Sequence, residues 1–327
     1  MNGRLEKEII FYDKTEKKLQ GLPQIFNEYY FSMRANRISY TTIGGYIDNI
    51  LHFSRFITNG ELTEDFYKTI TTTDIEKYMI SLETKQTKDG IKRMGDDILQ
   101  RRWSALNRFF DWLVKRDYIH NNPMIAVSRP KNQTEHKVVY LTKVEINRLF
   151  KAVENNSSST LAIRDKALFT IAIATGLRAS AIVNMNIDDI DFKNGIIKVI
   201  EKRQKIREIP IGENTINSIR EWIEVRNQEF AGVDTNALFI SLKNNRLSDD
   251  AANHALKTYC AEAGIQKKIT MHKLRASCAC LLAKNQVPVK AIAKQLGHNN
   301  ITTSMRYIDV FNEDMEKAKN ILDSAIG

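Results

Sequence analysis

One stretch, residues 124–140 (MIAVSRPKNQTEHKVVY), lacks a helical period and separates two blocks in which apolar residues recur at three- and four-residue intervals. It follows Asn121-Asn122-Pro123 and holds Pro130 between Arg129 and Lys131, so it can neither continue a helix nor form a buried strand. At 327 residues the chain exceeds what one core usually organises, and the break reads as the linker between two domains. The expected layout is a charged, poorly ordered lead over 1–20, a helical domain over 21–123, the linker over 124–140, and a second domain over 141–327 ending in a tail helix at about 312–327.

In the first block Ile43, Tyr46, Ile47, Ile50, Phe53 and Ile57 mark one amphipathic helix. Leu99, Trp103, Leu106, Phe110 and Leu113 mark another, with Asp96 and Asp97 as capping residues at its start. Arg101, Arg102, Arg108, Lys115 and Arg116 flank this second stripe. On an ordinary protein they form a solvated face; on a DNA-binding protein they are phosphate contacts.

The second block opens on a capping box, Thr142 with Glu145, ahead of a buried face made by Ile146, Leu149, Phe150 and Val153. Gly176 ends the next helix. Residues 195–211 alternate as a β-hairpin, IIKVIE and IREIPI about a KRQK turn, and ALFIS reads as a short strand ending at Ser241. Helical stripes return at Ile216, Ile219, Trp222 and Ile223, after Ser248-Asp249, over 272–284 and over 289–296, the last closed by Gly297. The fold class expected is therefore mainly α with a small β-hairpin or sheet, in two domains, one helical and one mixed α/β.

Charge and cysteine usage narrow the function classes. A net charge of +10 and a pI near 9.3 attract polyanions, nucleic acid first and an anionic membrane surface second. Cys260, Cys278 and Cys280 are odd in number and two lie in an apolar helical stretch, which fits buried thiols in a reducing compartment. Zinc would need more Cys and His ligands at tighter spacing. With neither a signal-peptide core nor an apolar run of spanning length, a cytoplasmic, nucleoid-associated protein without membrane contact is expected.

Five residues then stand out: Arg178 in TGLRAS, His272 and Arg275 three apart in TMHKLR, and His298 and Tyr307 nine apart in LGHNNITTSMRY. Attack on a phosphodiester builds negative charge on the non-bridging oxygens, and arginine forks bind those oxygens bidentately, so Arg178 and Arg275 suit a phosphate clamp. Tyr307 offers a hydroxyl nucleophile. A phenol ordinarily ionises only near pH 10 and needs a base or electrostatic help. His272 or His298 could take its proton or hold the phosphate. The leaving sugar oxygen needs a proton, and Lys202 at the hairpin tip suits that role, with Arg203 and Lys205 as neighbouring alternatives. Singly each residue has a bland reading as a surface cation, a helix stop or a structural aromatic; jointly their order is hard to produce by chance.

These strings resemble the tyrosine recombinases of the phage-integrase and Xer type. The TGLR-x-S box is matched at Thr175, Gly176, Leu177, Arg178 and Ser180. The H-x-L-R box, LGH and following tyrosine are matched at His272, Leu274, Arg275, Leu296, Gly297, His298 and Tyr307. The hairpin string G-K-G-x-K-x-R-x-V-P aligns with E-K-R-Q-K-I-R-E-I-P, which puts the family lysine at Lys202 and lacks the glycines. Ala181 stands where the family usually has an acid.

The resemblance implies a helical core-binding domain facing a catalytic domain across double-stranded DNA. It further implies a 3′-phosphotyrosyl intermediate on Tyr307 and exchange by four protomers on two sites, with a possible accessory or partner recombinase. No metal or nucleotide cofactor is implied, because bond energy is conserved in the covalent link. The stretch with Met315, Ala318 and Leu322 resembles the tail such enzymes donate to a neighbour, so deleting residues 312–327 is expected to weaken assembly and leave binding. Competing readings are a type IB topoisomerase or telomere resolvase with the same chemistry, and a catalytically silent DNA-binding accessory on the same fold. A metal-dependent nuclease would rest on Asp188, Asp189 and Asp191, which sit where a solvated loop is expected.

Overall fold

The computed structural model describes residues 3–87, 90–131, 138–200, 206–233, 236–298, 300–308, 319 and 322–324. They fall into two compact units, Arg4–His136 and Lys137–Gly327. The chain is mostly helical with small antiparallel sheets.

The first unit holds α1 (Gly3–Leu19), α2 (Gln24–Ala35), α3 (Tyr40–Ile57), α4 (Thr72–Ser81), a hairpin of β1 (Thr84–Thr87) and β2 (Gly90–Arg93), and α5 (Asp96–Lys115). The expected stripes form its core. Ile43, Ile47, Ile50 and Phe53 of α3 meet Leu106, Phe109, Phe110 and Leu113 of α5, together with Phe26, Tyr29, Ile75 and Tyr78. Each such side chain contributes roughly 1.5–3 kcal/mol when fully buried.

The expectations for the lead, the cap of α5 and the linker need correction here. The lead is helix α1, and it is tied down: Thr15 and Leu19 are buried, Tyr12 meets Tyr40 edge to face, and Lys18 pairs with Asp48 at 2.6 Å. Its apolar anchors are so diluted by Lys and Glu that composition masks the stripe. The cap of α5 is Gly95, with Asp96 and Asp97 inside the first turn, where their charge faces the positive end of the helix dipole. The β1–β2 hairpin was not expected, since its strands (TKQT, GIKR) carry almost no apolar alternation; Asp89-Gly90 was the available turn signal. Within the stretch read as linker, Met124 and Val127 are buried in this unit's core, and Trp103 donates Nε1–H to the Val127 carbonyl at 2.9 Å.

The second unit runs α6 (Lys143–Glu154), α7 (Ser159–Thr175), α8 (Ala179–Val183), β3 (Ile190–Asp191), β4 (Ile196–Ile200), β5 (Ile206–Pro210), α9 (Glu213–Glu229), α10 (Asp249–Glu262), α11 (Met271–Lys284), α12 (Val289–Leu296) and α13 (Thr302–Ile308). The capping box of α6 forms as expected, Thr142 accepting from the Glu145 N–H while the Glu145 carboxylate accepts from the Thr142 N–H. The expected hairpin is β4–β5, paired from Ile196↔Pro210 to Ile200↔Ile206, with β3 added on the other edge of β4. Helix α7 is buried nearly all round, packing on α6, α9 and α11, so its sequence shows little one-sidedness. Residues 237–241 are not a regular strand. Ala237 to Ile240 are fully buried and Ser241 partly so, but the backbone is satisfied by single bridges at Ala237 and Ile240 and by Leu238 N–H to the Met185 carbonyl. A continuous apolar run signals burial, not a ladder.

The expected tail helix lies outside the described residues, apart from Lys319 and residues 322–324, which are helical, with Leu322 exposed. Among the described residues no helix is long and apolar enough to cross a membrane.

Candidate active site

The site is built where two helices end against the middle of a third. Helix α7 stops at Gly176, which takes a left-handed conformation (φ +62°). A Cβ at this position would lie 2.5 Å from Leu296 Cδ2 and 3.1 Å from Cys278 Sγ, so both the backbone twist and the space require glycine. Thr175 supports the turn, donating to the Ile171 carbonyl at 2.6 Å and accepting from the Leu177 N–H at 3.2 Å. Two residues on, Arg178 caps α8 and its side chain is exposed. Helix α12 ends the same way at Gly297, also left-handed (φ +65°), which turns the chain toward His298.

Arg275, on α11, joins the two ends. It is almost wholly buried, and its guanidinium donates to the Gly176 carbonyl and the Leu296 carbonyl, each at 2.7 Å. A buried cation at two helix C-termini meets the negative ends of both dipoles. Five N–H donors with two engaged leave three for an anion. Burial, and next the Arg178 charge, push Arg275 down to about 10, which leaves it protonated at neutral pH; the Tyr307 oxygen acts in the opposite sense.

Tyr307 lies on α13 with its ring buried among Ala276, Ala279, Cys280, Ile292 and Leu296. His298 stacks nearly parallel to it, ring centres 6.4 Å apart, and its Nδ1 is 2.6 Å from Ser304 Oγ. With the serine hydroxyl donating to Nδ1, the neutral ring carries its proton on Nε2. Burial, then Arg275, Arg178 and Arg306, lower His298 to about 4. His272 is also lowered, by partial burial and then by Arg275, Lys273, Arg306 and Arg178, although its side chain reaches solvent. Both imidazoles are thus neutral at pH 7, among cations that repel a further proton and favour an anion.

The fold therefore gathers Arg178, His272, Arg275, His298 and Tyr307 into one electrostatically coupled pocket. Lys202, Lys205 and the alternative Arg203 lie outside the described residues. Of the N-terminal arginines, Arg101 is exposed and pairs with Asp97 at 2.9 Å, and Arg108 is exposed over the Tyr46 ring. Arg102 is half-buried and donates to the Tyr78 hydroxyl at 2.9 Å. Asp189 and Asp191 serve as turn acceptors, Asp189 from the Asn186 N–H and Asp191 from Lys193 and Asn194, and Asp188 accepts from the Asn236 side-chain amide. Among the described residues no group of three or more His, Cys, Asp or Glu could hold a metal ion. Sequence reasoning missed Ser304, Arg306 and Arg207. Ser304 was legible only as a polar residue one turn before the tyrosine. Arg207 on β5 donates to the Gln295 carbonyl at 2.7 Å, a contact no spacing could announce.

Residues 139–314, more than half of the chain, match the family model described as the phage integrase family. This chain belongs to the phage integrase family. A relative named tyrosine recombinase XerC, from Alcanivorax borkumensis, is 29% identical over 289 residues, covering 88% of this chain and 89% of the relative. Tyrosine recombinase XerC of Escherichia coli O157:H7 is 30% identical over 234 residues, covering 72% and 76%. Among solved structures, the XerH site-specific recombinase in a post-cleavage complex with a palindromic difH substrate has a TM-score of 0.72 at 20% identity, over 89% of this chain and 82% of that one. That likeness establishes the shared two-domain fold.

Proposed function

We propose that this integrase-family chain is a site-specific DNA recombinase that cleaves and rejoins strands through a covalent 3′-phosphotyrosyl link. One observation carries the reading: a buried guanidinium with spare donors, a second arginine and two neutral imidazoles converge on a phenol. This arrangement suits a phosphodiester and a hydroxyl nucleophile.

Arg178 and Arg275 hold the non-bridging oxygens, and their bonds strengthen as charge accumulates there. Tyr307 Oη attacks phosphorus, its proton passing to a pocket imidazole, His272 in the first instance, because His298 is the weaker base and better placed as an Nε2–H donor to phosphate. The P–O5′ bond breaks, and the 5′ oxygen takes a proton from Lys202, or from Lys205. Reversal by the same or a partner 5′ hydroxyl restores the backbone without a cofactor. The helical unit grips double-stranded DNA with exposed cations such as Arg101 and Arg108, Arg102 being held by Tyr78. Four protomers assemble on two sites in the cytoplasm at the nucleoid, with room for an accessory or partner recombinase.

The test uses a nicked duplex bearing the sequence that the protein itself selects from a randomised pool, incubated in EDTA. A detergent-resistant protein–DNA adduct is expected, lost in Tyr307→Phe with binding retained. A protein that binds the selected duplex and yields no adduct would be a silent accessory.

A further inference from the structure

Arg306 precedes Tyr307 on α13 and was no part of the residue set read from the motifs. Arg306 is exposed, whereas the Tyr307 ring is buried. Its guanidinium nonetheless lies against the neighbouring phenol. Its Nη2 donates to Tyr307 Oη at 3.2 Å, and the guanidinium carbon lies 5.1 Å from the ring centre. Its charge also reaches His272 and His298, so it faces the pocket that Arg275 and Arg178 face. The charged and titratable groups around the phenol come from every side. Beside it lie His298 after α12 and Arg275 on α11, and around those two stand His272 and Lys273 on α11, Arg178 after α7 and Arg207 on β5.

We infer that Arg306 is a charge partner of the nucleophilic oxygen, donating to the phenol at rest and holding the phenolate as the proton leaves. This rests on the proposed role of Tyr307 as nucleophile. Arg178 and Arg275 oppose charge that develops on the phosphate, whereas Arg306 opposes charge that develops on the attacking atom. A guanidinium bond to a neutral hydroxyl is charge–dipole in character, and when the oxygen becomes an anion a direct attraction between opposite charges is added to it. The interaction therefore grows along the reaction coordinate and lowers the barrier rather than merely tightening the ground state. Arg306 neither gains nor loses a proton. The phenol proton goes to a pocket imidazole, the O–P bond forms, the P–O5′ bond breaks, and the 5′ oxygen is protonated by the hairpin lysine.

The test is single-turnover cleavage by the full chain, at saturating protein, on the self-selected nicked duplex. One substrate has an ordinary 5′ oxygen at the scissile phosphate. The other has a bridging 5′ sulfur, which leaves without a proton. Arg306→Gln is expected to slow cleavage roughly ten- to a hundred-fold on both, the loss of one charged donor, with Arg306→Lys in between. Lys202→Gln should be slow on oxygen and recover on sulfur. Wild-type rates for Arg306→Gln, a deficit that vanishes at saturation, or rescue by sulfur each overturn the inference while leaving Tyr307 as nucleophile. If the wild type forms no adduct, or Tyr307→Phe still forms one, the functional reading itself falls and takes this inference with it.

Discussion

Replacing Gly176 by alanine tests how the pocket is held together. The residue sits at φ +62°, where an L side chain costs about 1–2 kcal/mol. Part of this, about 0.5–1 kcal/mol, is returned by the stiffer unfolded chain. The new Cβ would lie 2.5 Å from Leu296 Cδ2 and 3.1 Å from Cys278 Sγ, and both of those side chains are buried. Overpacking of this kind costs about 1–3 kcal/mol. The net expectation is a loss of about 1–4 kcal/mol from the second unit. One way to relieve the strain is for α12 to move away from α7, and that motion separates the two carbonyls that hold Arg275. DNA cleavage should therefore fall by more than the stability loss alone explains.

Urea unfolding combined with hydrogen exchange in peptides from α7 and α11 reads the stability of this unit directly. A cycle with Leu296→Ala isolates the clash. Leu296→Ala alone should cost about 2–5 kcal/mol as a cavity. In that background Gly176→Ala should cost its backbone strain and the remaining contact with Cys278 Sγ, about 1–2 kcal/mol. The coupling between the two sites would then be about 1–3 kcal/mol. An equal cost for Gly176→Ala in both backgrounds, or a cost below about 0.5 kcal/mol in the wild type, would refute the reasoning.

Two further outcomes follow from the same pocket. His298 is lowered to about 4 in the folded chain from an ordinary 6.5, so between those values the unfolded chain binds a proton that the folded one refuses. Stability should fall as pH drops from about 6.5 toward 4, by at most about 3 kcal/mol and by less where solvent screens the half-buried ring. Acid titration of His298→Gln should give a flatter curve, and an unchanged curve would sink the assignment. Arg207→Ala removes the bond from β5 to the Gln295 carbonyl at the end of α12. It should speed hydrogen exchange in the 293–298 segment and cost roughly 1 kcal/mol, with little change around α6; equal exchange in both proteins would show that the hairpin strand does not anchor that turn.

The contrast between what was legible and what was not follows from range. Periodicity is local, so α3, α5, α6, α11 and α12 could be read from their stripes and caps, as could the β4–β5 hairpin from its alternation. Where an element is buried on all sides, as in 237–240, or has its anchors diluted by charge, as in α1, the local signal no longer separates strand from coil or helix from lead. The candidate site divides along the same line. The strings around Arg178, His272, Arg275, His298 and Tyr307 named residue types and an order along the chain. They could not reveal that Ser304 holds His298 or that Arg306 bends back onto the phenol.

The sequence by itself determined a mainly helical chain of two blocks, and a set of arginines, histidines and a tyrosine suited to a phosphate. Only the tertiary structure decided that Arg275 is buried between the carbonyls of Gly176 and Leu296, 99 and 21 residues away along the chain. The reason is physical. A guanidinium's partners and its solvation are set by which helix ends pack against it, and helix packing depends on contacts that no window of sequence contains.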